Sequence, residues 1–133
     1  MYILDTKVIS AVRRADRAPR VATWLRGKAE QDLFLSVITL GEIERGIHQQ
    51  DRKDPTFARD LRIWLDRTVL LFSDRILGFE AADARIWGTL SAKLGHSGAD
   101  LMIAASALRH GATVVTGNVS DFEPTGAALE NPF

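Results

Sequence analysis

Tyr2-Ile3-Leu4 is a short apolar run, closed at once by Asp5 and followed by Thr6-Lys7-Val8-Ile9-Ser10. It is too short for a helix and reads as a buried strand of the kind found inside parallel sheets. Thr6 to Arg14 then makes a short helix, so the chain opens as strand, carboxylate, helix. The same alternation continues outward. Pro19 opens a helix with Val21, Trp24 and Leu25 on one face. Leu33-Phe34-Leu35-Ser36-Val37 is a second strand, and Thr39 to about Gln50 is helical, with Leu40, Ile43 and Ile47 in register. Pro55 starts a helix carrying Leu61, Trp64 and Leu65. Val69-Leu70-Leu71-Phe72 is a third apolar run, and Ile76 to Phe79 a short fourth. Glu80 to Leu94 and Ala99 to Arg109 are helices closed by Gly95 and Gly111. Thr113-Val114-Val115 is the last strand. Short apolar runs alternating with amphipathic helices predict an α/β fold, with a central, mostly parallel β-sheet flanked by α-helices.

Composition sets the limits. A chain of 133 residues is expected to form a single domain, 1–133. Lys+Arg and Asp+Glu are both 17, so the net charge is zero and binding to nucleic acid by bulk charge alone is excluded. There is no cysteine, which removes thiolate zinc sites, disulfide scaffolds and Cys nucleophiles. The three histidines, His48, His96 and His110, are too scattered for a His-based zinc site. Any metal would be held by oxygen. The N-terminus lacks the pattern of a signal peptide, and no run approaches a membrane span, so a cytoplasmic protein is expected, with no membrane partner.

In parallel sheets, sites form beyond the carboxyl ends of strands. Four carboxylates fall there or at helix starts. Asp5 ends the first strand, Glu42 opens the helix after the second, Asp100 opens the helix before the last strand, and Asp121 follows that strand. Each has a purely structural reading. Thr39-x-x-Glu42 and Ser97-x-x-Asp100 fit capping boxes, Asn118-x-x-Asp121 could start a turn, and Asp5 could cap its helix. Two details argue for more. Glu42 projects away from the stripe of Leu40, Ile43 and Ile47. Asp100 falls in the arc of Ile103, Ala104, Ala107 and Leu108, where a charge needs a partner, a metal or a proton. Converging carboxylates repel unless a cation joins them, and a hard divalent ion with oxygen ligands suits such a cluster. The chemistry it supports is phosphodiester hydrolysis, which needs no side-chain nucleophile.

Ile3-Leu4-Asp5-Thr6 with Ile9-Ser10, then Ile38-Thr39-Leu40-Gly41-Glu42, then Ala99-Asp100-Leu101-Met102-Ile103-Ala104-Ala105, then Val115-Thr116-Gly117-Asn118 leading to Asp121-Phe122, resemble in order and spacing a PIN domain of the VapC toxin type. The resemblance covers nearly the whole chain. It implies a PIN-like fold and a Mg²⁺- or Mn²⁺-dependent endoribonuclease that hydrolyses RNA. It also implies a homodimer, and a cognate antitoxin that neutralises the toxin in a larger toxin–antitoxin assembly and brings it to DNA. By position, Asp5, Glu42, Asp100 and Asp121 match the catalytic and metal-binding quartet, with Thr6, Thr116 and Asn118 supporting it. Two positions depart from the family pattern. Lys7 stands where Asn is usual, and Gly117 where Arg is usual.

Lys7 lies two residues after Asp5, and its ammonium has the reach to compete for a metal site. That sustains an alternative: a catalytically impaired PIN protein acting by binding antitoxin and supporting DNA-bound autoregulation. A response-regulator receiver is a further rival, but Asp5 stands alone where that fold needs an acidic pair, and no Lys or Arg follows Arg109. Residues 13–28 are basic, and Arg13, Arg14 and Arg17 are candidate RNA contacts, weighed against a merely solvated face. Trp24, Trp64 and Trp87 read as core, and Glu44 and Asp83 as surface charges.

Overall fold

The structure is a computed structural model describing residues 1–133. Its strands are β1 (Tyr2–Leu4), β2 (Leu33–Ser36), β3 (Ile76–Leu77), β4 (Thr113–Val115) and β5 (Ala128–Glu130). Its helices are α1 (Thr6–Val12), α2 (Pro19–Arg26), α3 (Val37–Asp51), α4 (Pro55–Leu71), α5 (Ala81–Leu94), α6 (Ala99–His110) and α7 (Val119–Phe122). The five strands form one sheet in the order β3-β2-β1-β4-β5, and every pairing is parallel. No helix is long and apolar enough to cross a membrane.

The period of the strands explains the layers. Leu4, Leu35 and Val115 point to one face, where Val8, Val21, Ile47 and Leu65 from α1 to α4 cover them. Ile3 and Val114 point to the other, under Leu90, Leu101, Ile103 and Phe122. Adjacent residues of one strand thus feed two separate cores, which is why the strands read as unbroken apolar runs. Gly111 closes α6 with φ +62°, a left-handed conformation that lets the chain turn directly into β4.

Four expectations are corrected. Val69-Leu70-Leu71-Phe72 is not a strand: α4 runs through Leu71, and Leu70 and Leu71 are exposed. The last strand is not β4 but β5, a half-exposed edge. The helix after β2 starts at Val37 and is capped by Ser36, whose Oγ accepts from the Ile38 amide, so Thr39 is no cap. Asp83, expected on the surface, is fully buried and paired with Arg109.

Candidate active site

Strand order reverses direction at β1, from which the chain winds outward to β2 and β3 on one side and to β4 and β5 on the other. Such a switch point opens a crevice beyond the strands' carboxyl ends. Asp5 and Thr116 are the residues that leave β1 and β4 there. The Asp5 amide donates to the Val115 carbonyl at 2.9 Å, extending the ladder by one bond and fixing where the carboxylate emerges.

A chain of hydroxyls then orients the acids. Thr116 Oγ1 donates to Asp5 Oδ2 at 2.8 Å, and the Asn118 amide donates to the same Thr116 oxygen at 2.9 Å. The Thr6 amide donates to Asp5 Oδ1 at 2.8 Å, so Asp5 also caps α1. Thr6 Oγ1 donates to Glu42 Oε1 at 2.7 Å and lies 3.4 Å from the buried Thr39 hydroxyl. Asp5 is almost fully buried, Glu42 and Asp100 are half-buried, and Asp121 is exposed in the short α7.

Asp100 sits in the first turn of α6, whose cap is Gly98 and offers no side chain to it. Burial pushes its carboxyl above the ordinary carboxylate range, and the charges of Asp5, Asp121 and Glu42 push it further, with His96 opposing them weakly. The four acids therefore share one electrostatic neighbourhood. None of them is in an ion pair. The only groups that donate to Asp5 and Glu42 are two neutral hydroxyls and one amide. The acids do not form a closed cage of three ligands. Mg²⁺ does not need one, because one or two carboxylates with waters and phosphate oxygens complete its octahedron. An all-oxygen donor set with unbalanced negative charge fits such an ion.

Lys7 is exposed at the second position of α1 and is paired with none of the four acids. Arg13 is half-buried. Its guanidinium lies over the rings of Phe57 and Trp64, at 5.2 and 5.7 Å, and lines a cleft of about 250 Å³ that Thr6 and Glu42 share. Arg14 and Arg17 are exposed. A Cβ at Gly117 would come within 3.0 Å of the Phe133 ring, so a larger residue there would push the ring aside by a few tenths of an ångström. The pinning of Arg13 was not evident from the sequence, because Phe57 and Trp64 lie three helices later, on α4.

Known proteins resemble this chain in sequence and in fold. A family model described as PIN domain matches residues 2–123. The chain is 31% identical to VapC ribonuclease Y4jK of Sinorhizobium fredii, covering 100% of this chain and 98% of that protein. It is 32% identical to Toxin FitB of Neisseria gonorrhoeae, covering 100% of this chain and 99% of that one. The structure of FitAB bound to an IR36 DNA fragment superimposes with a TM-score of 0.84 at 32% identity, over 99% of this chain and 95% of that chain. The chain belongs to the PIN-domain family.

Proposed function

We propose that this chain is the ribonuclease toxin of a toxin–antitoxin pair, hydrolysing RNA phosphodiester bonds with Mg²⁺ or Mn²⁺ held by Asp5, Glu42, Asp100 and Asp121. The observation that carries the reading is the acidic cluster at the switch point, in which hydroxyls aim Asp5 and Glu42 and no cationic side chain pairs with any of the four acids. A divalent ion held there would polarise the scissile phosphate and make a water acidic enough to attack it. The protein's own residues position that event. Thr116 locks Asp5 into one rotamer, Thr6 holds Glu42 over the sheet edge, and Asn118 braces Thr116 through its amide. Asp100, raised by burial and then by its acidic neighbours, would be relieved by a cation. Arg13, fixed over two rings beside Glu42, is placed to take a phosphate of the RNA.

The same reading supplies the partners. Exposed Ile63, Leu70 and Leu71 on α4 leave apolar surface for a second copy or for the antitoxin, which would neutralise the toxin and carry it to DNA. All 133 residues act as one PIN unit in the cytoplasm. Exposed, unpaired Lys7 supports an active enzyme over one impaired at the metal site. The test is RNA cleavage by the purified chain, free of antitoxin. Cleavage should need Mg²⁺ or Mn²⁺, stop with EDTA, and vanish in Asp5→Asn and Asp100→Asn. Cleavage that survives both substitutions would end the assignment.

A further inference from the structure

Beyond β5, residues 131–133 fold back over the carboxyl edge of the sheet. The Phe133 ring lies on Gly117, so close that a Cβ there would come within 3.0 Å of it, yet the residue is still 45% exposed. Gly117 follows Thr116, the residue bonded to Asp5. The ring is thus one residue along the chain from the acidic centre, on the β5 side, while Arg13 and Glu42 lie on the β2 side. Two open hollows flank it. One, of about 520 Å³, is lined by Pro19, Arg20, Trp24, Asn131 and Phe133. The other adds Arg17 beside Arg20 and Phe133. Arg17 and Arg20 are exposed and form no ion pair. The floor is firm: Trp24 Nε1 donates to Glu130 Oε1 at 2.7 Å, tying α2 to the end of β5, and Lys28 stacks on Trp24 at 5.2 Å.

We infer that Phe133, with Arg17 and Arg20, forms a subsite for one nucleotide of single-stranded RNA flanking the scissile phosphate: the base stacks on the ring and the arginines hold its phosphate. This rests on the RNA-cleaving function proposed above. A half-exposed aromatic ring beside free guanidinia is the combination that grips single strands, since every base has a face to stack and every nucleotide a charge to neutralise. The glycine at 117 is what lets the ring approach the centre, so the substrate strand would run from the Arg13 cleft across Asp5 and Asp100 to Phe133.

The test is anisotropy of a fluorescein-labelled single-stranded oligoribonucleotide binding to the full chain in EDTA, with circular dichroism to verify folding. Phe133→Ala should weaken binding about tenfold, the low end of what one stacked base contributes. Phe133→Trp should hold affinity within about twofold, because it keeps a stacking face. Arg20→Ala should reduce the salt dependence of log K by about one phosphate contact. Wild-type binding with Phe133→Ala unchanged overturns the subsite and leaves the ribonuclease reading standing. That holds also if the variant weakens only antitoxin binding, since the ring would then serve a protein partner. A wild-type chain that neither binds nor cleaves RNA overturns both.

Discussion

Asp83→Ala should be among the most damaging single substitutions outside the acidic site. The Asp83 carboxylate is fully buried and takes Arg109 as a fork, Nε at 2.6 Å and Nη2 at 3.1 Å, while the Glu80 amide donates to it at 2.8 Å. The substitution strips three donors at once and leaves a guanidinium with only 26% of its side chain exposed. Breaking a buried pair by removing one partner costs about 3–5 kcal/mol, and partial rehydration of Arg109 puts this case near 3. That is a large share of the ~5–15 kcal/mol that holds a domain together. For a chain of this length it corresponds to a fall in Tm of roughly 10 °C. The assay is urea denaturation of Asp83→Ala, Arg109→Ala and the double variant. The double should cost less than the sum of the singles, because the second truncation removes the charge the first left stranded. A single-variant loss below about 1 kcal/mol, the level of an exposed pair, would refute the argument.

The pair also sets a pH dependence. Burial alone would raise the Asp83 carboxyl, but the hydrogen bonds from Arg109 and the Glu80 amide outweigh it and hold the group below the ordinary value. A carboxylate lowered in the folded state stabilises above the unfolded carboxylate range and loses that contribution as pH falls through the folded value. Asp83→Asn should therefore flatten the acid limb of the stability curve.

Asp100→Asn should do the reverse at neutral pH, raising stability while abolishing metal binding by calorimetry, because its carboxyl is raised in the folded state by burial and by its acidic neighbours. Thr116→Val removes the hydroxyl that donates to buried Asp5 and accepts from Asn118, and should cost about 1–3 kcal/mol by denaturation together with most of the cleavage rate. Lys7→Asn should leave Mn²⁺ affinity within about twofold, since an exposed, unpaired ammonium is screened by solvent. A tenfold gain would instead show that the lysine competes for the site.

The parts of the fold legible in the sequence are those where burial alone dictated the pattern. β1, β2 and β4 are covered on both faces, so their residues form unbroken apolar runs. β5 is an edge strand reading Ala-Leu-Glu, and half-exposed edges carry no such run. Val69 to Phe72 misled for the opposite reason. The run continues the helical stripe of Leu61, Leu65 and Thr68 through Val69 and Phe72, while Leu70 and Leu71 are 76% and 59% exposed and belong to a surface, not a core. Asp83 was legible in principle. It precedes Ile86, Trp87 and Leu90 at the i+3, i+4 and i+7 positions of the buried face, the same argument that placed Asp100 inward. For Asp100 the arc was only partly right, since Leu108 is exposed.

Asp83 and Asp100 also show how one chain spends its buried charge in two ways. Where stability is the purpose, a buried ion meets an opposite charge. Asp83 has Arg109, and buried Arg75 has Glu30 and Asp74 at 3.7 and 3.5 Å, besides the carbonyls of Glu30, Leu33 and Leu71 at 2.6, 2.7 and 3.0 Å. At the switch point no guanidinium or ammonium is paired with an acid, and the donors that touch Asp5 and Glu42 are threonine hydroxyls and an amide. A hydroxyl fixes a carboxylate's direction without cancelling its charge. An arginine in the place of Thr116 would satisfy Asp5 better and leave nothing for a cation to do. The burial and repulsion that lift the Asp100 carboxyl are thus energy held ready for a ligand, and the ion pairs elsewhere offset it. Replacing one acid of the cluster by its amide should relieve the strain and remove the activity together, whereas replacing Asp83 should cost stability and leave the chemistry of the folded chain untouched.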